Sequence, residues 1–303
     1  MWSFDDVNSS DNLENSTFIS DFPEPPVCGI SKNGFYTKVV GGVDANLGEF
    51  PWMALLGYND SSGNGTFWAC GGSLISQRHV LTAAHCIHNH DELYLVRLGE
   101  LDVLRHDDGA APVDIHIKSK IEHEEYSANS FQHDIGLIIL ETDVVFSDLI
   151  RPICIPLLPE LRNNLFDGYN PFLAGWGYNE FPGHANIQFR FGDHRKSHLQ
   201  KVSLPVTSLS QCQDVYKSYG NRLRIDEQVI CGGYEEGGKN SCKGDSGGPL
   251  MLPNTNSARQ VYFYQIGIVS LAPLCALKNY PTIFTRVTHY IPWLQKQVLG
   301  KTN

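Results

Sequence analysis

The sequence has no long uninterrupted apolar run, and no stretch approaches the roughly 18 residues that a membrane-spanning helix needs. It has no Cys-x-x-Cys pair either, which argues against a zinc ribbon. Basic residues are outnumbered, 23 against 33 acidic ones, and the formal net charge of the 303 residues is −10. A surface of that sign repels phosphate, so we expect neither a membrane protein nor a nucleic-acid-binding protein.

Methionine is scarce, with 3 residues, whereas glycine is frequent, with 28. Long amphipathic helical patterns are few, and from about residue 39 short β-rich runs alternate with turn residues. This pattern predicts a mainly β protein built as a barrel or sandwich. The runs are Trp52–Tyr58, Phe67–Ile75, Leu93–Val103, Val113–Ile121, Ile135–Leu140, Phe172–Gly175, Leu199–Val206, Val229–Cys231, Pro249–Leu252, Val261–Leu271 and Thr282–Val287. Two helices are predicted, Ser208–Tyr219 and Thr288–Leu299, each beginning at a capping hydroxyl residue.

Residues 1–27 contain six acidic side chains, no Lys or Arg, and a Pro-rich end, Pro23-Glu24-Pro25-Pro26. This composition predicts an acidic disordered tail or linker. The other 27 acidic residues nearly balance the 23 basic ones, so the part predicted to be globular is close to neutral. The first residues have neither the basic region nor the apolar core of a signal peptide, so any such signal is expected outside this sequence.

The cysteine count is even, which predicts four disulfides formed in an oxidising compartment. Spacing alone leaves 105 pairings open. The eight cysteines are Cys28, Cys70, Cys86, Cys154, Cys212, Cys231, Cys242 and Cys275. Four glycosylation sequons, at Asn8, Asn15, Asn59 and Asn64, also indicate a secreted protein.

Three separated segments have the residues that nucleophilic acyl transfer requires: 81–86 (LTAAHC), 133–137 (HDIGL) and 244–249 (GDSGGP). A serine hydroxyl is a weak nucleophile until a base removes its proton, and an imidazole can do so near neutral pH. A buried carboxylate must then hold the imidazole in the correct tautomer. Glycines beside the serine allow backbone amides to donate to an oxyanion.

With these motifs in this order, the sequence from Val39 to about Val298 resembles the trypsin/chymotrypsin-like serine endopeptidases. The resemblance implies two packed antiparallel Greek-key β-barrels with a C-terminal helix. It also implies that His85 is the general base, Asp134 its orienting partner and Ser246 the nucleophile, with an oxyanion hole formed by the amides of Gly244 and Ser246. Arthropod clip-type and venom proteases look most similar, although a clip module has no counterpart in this sequence.

The resemblance further implies the disulfides Cys70–Cys86, Cys212–Cys231, Cys242–Cys275 and, with the remaining two, Cys28–Cys154. The segment 36–42 (YTKVVGG) resembles a zymogen junction. Cleavage after Lys38 by an activating protease would free the ammonium of Val39, which in the family inserts beside the carboxylate at the position of Asp245. The implied domains are the tail 1–27, a disulfide-tethered pro-segment 28–38 and a protease domain 39–303.

The residues of the primary specificity pocket depart from the trypsin pattern. Asn240 stands where trypsin-like enzymes place Asp. A neutral amide offers no full charge to a basic side chain, and Thr282 narrows the pocket. We therefore expect cleavage after small or medium uncharged residues, with residual basic specificity through Asn240 as the alternative. The expected substrate-binding residues are Asn240, Ser270, Leu271, Ala272 and Thr282.

Other sequence features leave alternatives open. Calcium could bind the acidic loop Glu100, Asp102, Asp107 and Asp108, as in several relatives, but no cofactor is required. The basic residues of 183–198 form either an exosite or, as we favour, a solvated variable loop. The function expected is a secreted, monomeric serine endopeptidase that cleaves proteins and is controlled by a serpin-type inhibitor. The rival is a non-enzymatic homologue that binds within a protease cascade.

Overall fold

The computed structural model describes residues 22–32, 42–60, 65–177, 196–237, 244–272 and 278–300. The strands in this part of the chain are β1 Val43–Asp44, β2 Met53–Asn59, β3 Thr66–Leu74, β4 His79–Thr82, β5 Leu93–Leu98, β6 Val113–Glu122, β7 Gly136–Leu140, β8 Phe172–Gly175, β9 Gln200–Ser203, β10 Val206–Thr207, β11 Val229–Gly232, β12 Pro249–Thr255, β13 Val261–Leu271 and β14 Thr282–Arg286. The helices are α1 Pro159–Arg162, α2 Leu209–Tyr216 and α3 Ile291–Leu299. Short 3₁₀ segments are Ala84–Cys86, Lys217–Arg222 and Val287–Tyr290. None of the described helices has the length and apolar character needed to cross a membrane.

The first half of the chain forms a closed antiparallel barrel in the order β2-β3-β4-β7-β6-β5. Its β7 strand, GLIIL, is buried at every position. β-Branched residues suit such a strand because they pack well on a pleated surface. β7 pairs with both β4 and β6, so residues just before it are held at the barrel's rim.

The second half forms an eight-stranded antiparallel sheet in the order β1-β9-β8-β12-β13-β14-β11-β10. The expected second barrel is thus present as a curved sheet whose edge strands, β1 and β10, do not pair with each other. Two register shifts each leave an extra residue in β13: Ile266, opposite the step from Leu250 to Met251 in β12, and Ser270, opposite β14. Such bulges bend strands and increase their twist.

Aromatic side chains join the two halves. The ring of Phe263 lies 5.4 Å from that of Trp52 and 6.0 Å from that of Phe50. The indole Nε1 of Trp52 donates to the sulfur of Met251 at 2.9 Å. These residues are buried, and their packing fixes one half of the molecule against the other.

The two predicted helices differ from expectation at their ends. Ser208 caps α2 as predicted, since its hydroxyl accepts from the amide of Gln211, but α2 ends at Tyr216 and a 3₁₀ segment follows. Gly220 in that segment has φ +55°, which interrupts helical geometry. Thr288 is not a cap: α3 begins at Ile291, and the buried Thr288 hydroxyl has no hydrogen-bond partner among the described residues.

The segment 22–32 is attached to the second half. Gly29 donates to the carbonyl of Pro152 at 2.8 Å and accepts from the amide of Phe263 at 2.9 Å. Cys28 is bonded to Cys154. Phe22, which the sequence analysis placed in the disordered tail, is buried in the core, so ordered structure begins upstream of Cys28.

Candidate active site

His85 lies in the short 3₁₀ segment that follows β4. The next residue, Cys86, forms a disulfide with Cys70 on β3. The hydroxyl of Thr82, at the end of β4, donates to the carbonyl of Gly71 at 2.8 Å. The disulfide and this hydrogen bond hold the turn that carries His85 against the closed barrel.

Asp134 comes two residues before β7, and its side chain is 0 % exposed. Its Oδ1 accepts from the main-chain amide of His85, and its Oδ2 accepts from His85 Nδ1, both at 2.8 Å. The hydroxyl of Ser270 donates to Oδ2 at 2.6 Å. A buried carboxylate is costly unless it is paired and hydrogen-bonded, and these three donors meet that requirement.

The protonation of His85 follows from this partner. Burial alone would lower the pKa of His85, but the negative charge of Asp134 and the hydrogen bond to it raise the pKa above its usual value. Because a carboxylate only accepts, Nδ1 carries a proton, and in the neutral ring Nε2 is the basic nitrogen. The imidazole is 20 % exposed, whereas Asp134 is enclosed, so the ring is the accessible member of the pair.

Ser246 reaches the same place from the second half of the chain. Its carbonyl accepts from the amide of Gly71 at 2.7 Å. The next residue, Gly247, has φ +78°, and a Cβ there would lie 2.2 Å from the Thr82 hydroxyl and 3.2 Å from the Cys86 sulfur. Only glycine fits this approach, and it places the Ser246 turn against the segment that carries His85.

Asp245 contacts the segment at the end of β8. Its Oδ1 accepts from the amide of Gly177 at 2.9 Å. A Cβ on Gly175 would lie 2.1 Å from Oδ1 of Asp245, and one on Gly177 would lie 2.4 Å from Oδ2. Residues 175–177 (GWG) thus surround the Asp245 carboxylate closely, and we call this segment the cradle. Only glycine fits at positions 175 and 177. Gly244, on the other side of Asp245, has φ +97°.

The comparisons with known proteins agree with this geometry. The family model described as Trypsin matches residues 39–294, which is most of the sequence. The chain belongs to the trypsin family of serine proteases. It is therefore a serine-type endopeptidase, and its family relatives do not favour the non-enzymatic alternative.

Several relatives of this trypsin-family chain come from arthropods. A venom serine protease, Bi-VSP, of Bombus ignitus is 46% identical over 88% of this chain and 70% of its own length. A venom protease of Bombus pensylvanicus is 44% identical over 84% of this chain and 96% of its own length. The crystal structure of the Drosophila Grass clip serine protease of the Toll pathway is similar with a TM-score of 0.74 and 30% identity, covering 94% of this chain and 78% of that one.

Three of the four implied disulfides of the family are present: Cys28–Cys154, Cys70–Cys86 and Cys212–Cys231. Cys242 and Cys275 lie outside the described residues. So do Lys38, Val39 and Asn240, and the sequons at Asn8, Asn15 and Asn64. Asn59, at the end of β2, is exposed.

The expected substrate-binding residues other than Asn240 lie at the end of β13, just after it, and at the start of β14. Leu271 pairs with Ile283, the residue after Thr282. Thr282 is buried, whereas Leu271 and Ala272 are half-buried. Ser270 is buried, and its hydroxyl is bound to Asp134.

Sequence reasoning missed three contacts of His85 and Asp134. It did not identify Ser270 as a donor to the Asp134 carboxylate, nor the hydroxyl of Thr285, which donates to the Asp134 carbonyl at 2.7 Å. It also missed Phe131, whose ring lies edge-on to His85 at 5.9 Å. Nothing in the linear pattern marks residues 270 and 285 as neighbours of 134, because the contact joins the two halves of the fold.

The acidic loop already has protein partners for its carboxylates. Glu100 accepts from the amide of Leu101 and from Arg97, and burial raises the pKa of Glu100. Asp102 and Asp108 accept from main-chain amides, and Asp107 pairs with Arg105. Calcium would have to displace these contacts. Its binding stays a prediction, which thermal melts with and without a chelator test.

The loop 183–198 lies outside the described residues except for its last three positions. Lys196 is exposed. His198 was grouped with the basic residues of this loop, but its Nε2 lies 3.0 Å from the carbonyl of Ala45 and its Nδ1 lies 3.8 Å from Asp102. His198 thus connects this loop to the segment around β1.

Proposed function

We propose that this chain is a secreted zymogen that is cleaved after Lys38 and then performs limited proteolysis of protein substrates. The observation that carries the proposal is the His85–Asp134 pair. Its two 2.8 Å contacts, the third donor from Ser270 and the adjacent Ser246 turn supply a base, its orienting partner and a nucleophile at one cleft.

In this proposal the Ser246 hydroxyl attacks the scissile carbonyl while Nε2 of His85 takes its proton. Asp134 keeps the proton on Nδ1 and stabilises the imidazolium that forms. The amides of Gly244 and Ser246 donate to the oxyanion. The imidazolium then protonates the leaving amine, and a water molecule, deprotonated by His85, hydrolyses the acyl-enzyme to regenerate Ser246.

Activation is proposed to work through Asp245. The cradle of residues 175–177 holds this carboxylate beside the nucleophile, where the ammonium of Val39 would form an ion pair after cleavage. The Cys28–Cys154 bond keeps the severed segment attached. A Lys38→Gln chain should resist activation by trypsin-like enzymes. If it becomes as active as the processed wild type, the zymogen hypothesis is wrong.

The proposed specificity is for small or medium uncharged residues before the scissile bond. Thr282 is buried at the start of β14, and Asn240 supplies no charge for a basic side chain. Tetrapeptide amides that vary only this residue test the idea. Efficient turnover confined to Arg or Lys peptides would contradict it and would support basic specificity through Asn240.

The place of the enzyme is proposed to be an extracellular protease cascade. Names among its relatives include a proclotting enzyme of Tachypleus tridentatus and a spaetzle-processing enzyme of Drosophila melanogaster, at 35% and 34% identity. An upstream activating protease and a serpin-type inhibitor are the partners that such a role requires.

Labelling with an organophosphonate tests the catalytic proposal directly. Wild-type chain cleaved after Lys38 should be labelled at Ser246, while uncleaved chain and the Ser246→Ala variant should not. Absence of labelling in correctly cleaved wild type would contradict the proposed mechanism.

A further inference from the structure

A cluster of histidine and carboxylate side chains lies next to the triad but has no part in it. His123 and Glu125 follow β6, and His133 immediately precedes Asp134. One ring nitrogen of each histidine and a carboxylate oxygen of Glu125 all lie within 4.8 Å of one another. Among the described residues one other such group exists, Cys70, His85 and Cys86, and its cysteines are consumed in a disulfide.

We propose that His123, Glu125 and His133 bind a divalent transition-metal cation of the zinc class, and that its binding inhibits the protease. Two imidazoles and a carboxylate are a donor set that suits zinc, and water can complete a fourth position. Calcium and magnesium prefer all-oxygen sites and do not match this set.

His133 is already oriented as a ligand. The hydroxyl of Tyr290 donates to Gln228 Oε1 at 3.1 Å, so toward His133 Nδ1, also at 3.1 Å, it accepts. Nδ1 of His133 therefore carries the proton, and the lone pair of Nε2 is available. That nitrogen lies 3.7 Å from Oε2 of Glu125, close to the roughly 3.3 Å between two ligand atoms on one tetrahedral zinc. A histidine whose other nitrogen is held by an outer partner is the usual arrangement in metal sites.

His123 needs a small rearrangement. Its ring is stacked on that of His133, with centroids 4.8 Å apart and planes 13° apart, so the two in-plane lone pairs cannot meet at one ion. Its Nδ1 accepts a long hydrogen bond of 3.2 Å from the amide of Glu125. Tilting the ring away from this amide turns the same lone pair toward the cation.

The site is accessible and can adjust on one side. The side chain of Glu125 is 74 % exposed, so a cation can enter from solvent and the carboxylate can move to meet it. The other side is enclosed by protein, because the ring of Trp293 packs on His123 at 5.3 Å and the indole donates to Glu124 at 2.8 Å.

Inhibition follows from the position of the ligands in the chain. Phe131 and His133 both have φ +54°, which is unfavourable for non-glycine residues. Phe131 lies against the His85 ring, and His133 is followed directly by Asp134. Moving His123 and Glu125 onto a cation held at His133 pulls on this segment and displaces Phe131 and Asp134, the two side chains that position His85.

Zinc binding is measured first on the full chain with Ser246→Ala, by calorimetry after chelator treatment. One zinc ion per chain is expected, and His123→Gln and Glu125→Gln should each weaken binding by at least about tenfold. His90→Gln is the matched control, because His90 forms a pair with Glu92 at 2.6 Å that belongs to no group of three among the described residues. This variant should bind as tightly as its parent.

The active enzyme and its variants are then titrated with zinc. The rate of each variant is compared with the rate of the same variant without metal. The inhibition midpoint should move in the same order as the binding constants. Zinc binding that is equally tight in both ligand variants, or no binding at about 1 mM zinc, overturns the proposal. If the His123→Gln variant does not fold, the zinc affinity of Glu125→Gln decides the question, because the Glu125 side chain is exposed. The measurement of zinc binding does not depend on enzymatic activity. If the chain binds zinc as expected but is never labelled at Ser246, only the proposed catalytic mechanism is contradicted.

Discussion

The two halves of the candidate active site are built differently. His85 and Asp134 lie on the closed barrel and are joined by side-chain and main-chain hydrogen bonds, with a disulfide beside them. Ser246 lies on a glycine-rich turn of the open sheet, and the neighbouring Asp245 is held in a cradle of two glycines. The base is thus positioned by side-chain and main-chain contacts that centre on Asp134, whereas the nucleophile depends on backbone conformations that a single methyl group can disturb.

Replacing Asp134 should have the largest effect. Asp134→Asn removes the acceptor for His85 Nδ1 and favours the wrong imidazole tautomer, so kcat should fall by about 10⁴-fold. Single-turnover hydrolysis of an ester substrate measures the loss. A fall in kcat of less than tenfold would show that Asp134, on the closed barrel, does not position His85.

The same variant tests the protonation of His85. In the wild type, activity should fall as pH drops through the raised pKa of His85, because the base must be neutral. In Asp134→Asn the attraction of the carboxylate is lost while burial still opposes the imidazolium. The acid limb of the kcat/KM profile should therefore move to lower pH, and a shift to higher pH would contradict this assignment.

A methyl group in the cradle should damage the nucleophile half. Gly177→Ala places a Cβ 2.4 Å from Asp245, which must move and carry the Gly244 and Ser246 amides with it. We expect kcat to fall by roughly 10²–10³-fold, the loss of an oxyanion donor. Gly232→Ala, whose Cβ would meet atoms no closer than 3.4 Å, is the matched control and should retain most activity. Equal activity of the two variants would be inconsistent with the cradle.

Removing the disulfide beside His85 should reduce stability more than chemistry. The Cys70–Cys86 bond spans 16 residues, and replacing both cysteines by Ala should lower the free energy of unfolding by about 3 kcal/mol. The Cys212–Cys231 bond spans 19 residues, and its loss should cost a similar amount. Denaturant titrations compare the two. If loss of the Cys70–Cys86 bond abolishes activity in a chain that is still folded, and loss of the Cys212–Cys231 bond does not, the hydrogen bonds to Asp134 are not sufficient to hold His85.

The smallest effect is expected at Ser270. Ser270→Ala removes one of three donors to the Asp134 carboxylate, worth about 1.5–3 kcal/mol for a charged acceptor, so kcat should fall by about 10- to 150-fold. Ser203→Ala, another buried serine whose hydroxyl donates to the Asn170 carbonyl at 3.3 Å, is the control. Matching rates for the two variants would indicate that Ser270 does not position Asp134.

Much of the fold could be predicted from local patterns. The strand Val261–Leu271 has the predicted bounds, and Ser208 caps α2 as expected, because a run of β-forming residues and a capping hydroxyl are local properties of the sequence. The strand β4 was missed, although the equally short β8 was predicted with its exact bounds. The predicted cap at Thr288 was wrong because the preceding 3₁₀ turn buries this residue and delays the start of α3.

The sequence by itself determined the chemical inventory of this protein: a histidine, an aspartate and a serine in family motifs, cysteines to brace them and glycines where the backbone must turn. Only the tertiary structure decided which groups meet. The donation from Ser270 to Asp134 spans 136 positions, and the stacking of His123 on His133 depends on how one loop closes. Contacts of this kind arise from tertiary packing, and no local pattern encodes the distance between side chains that packing sets.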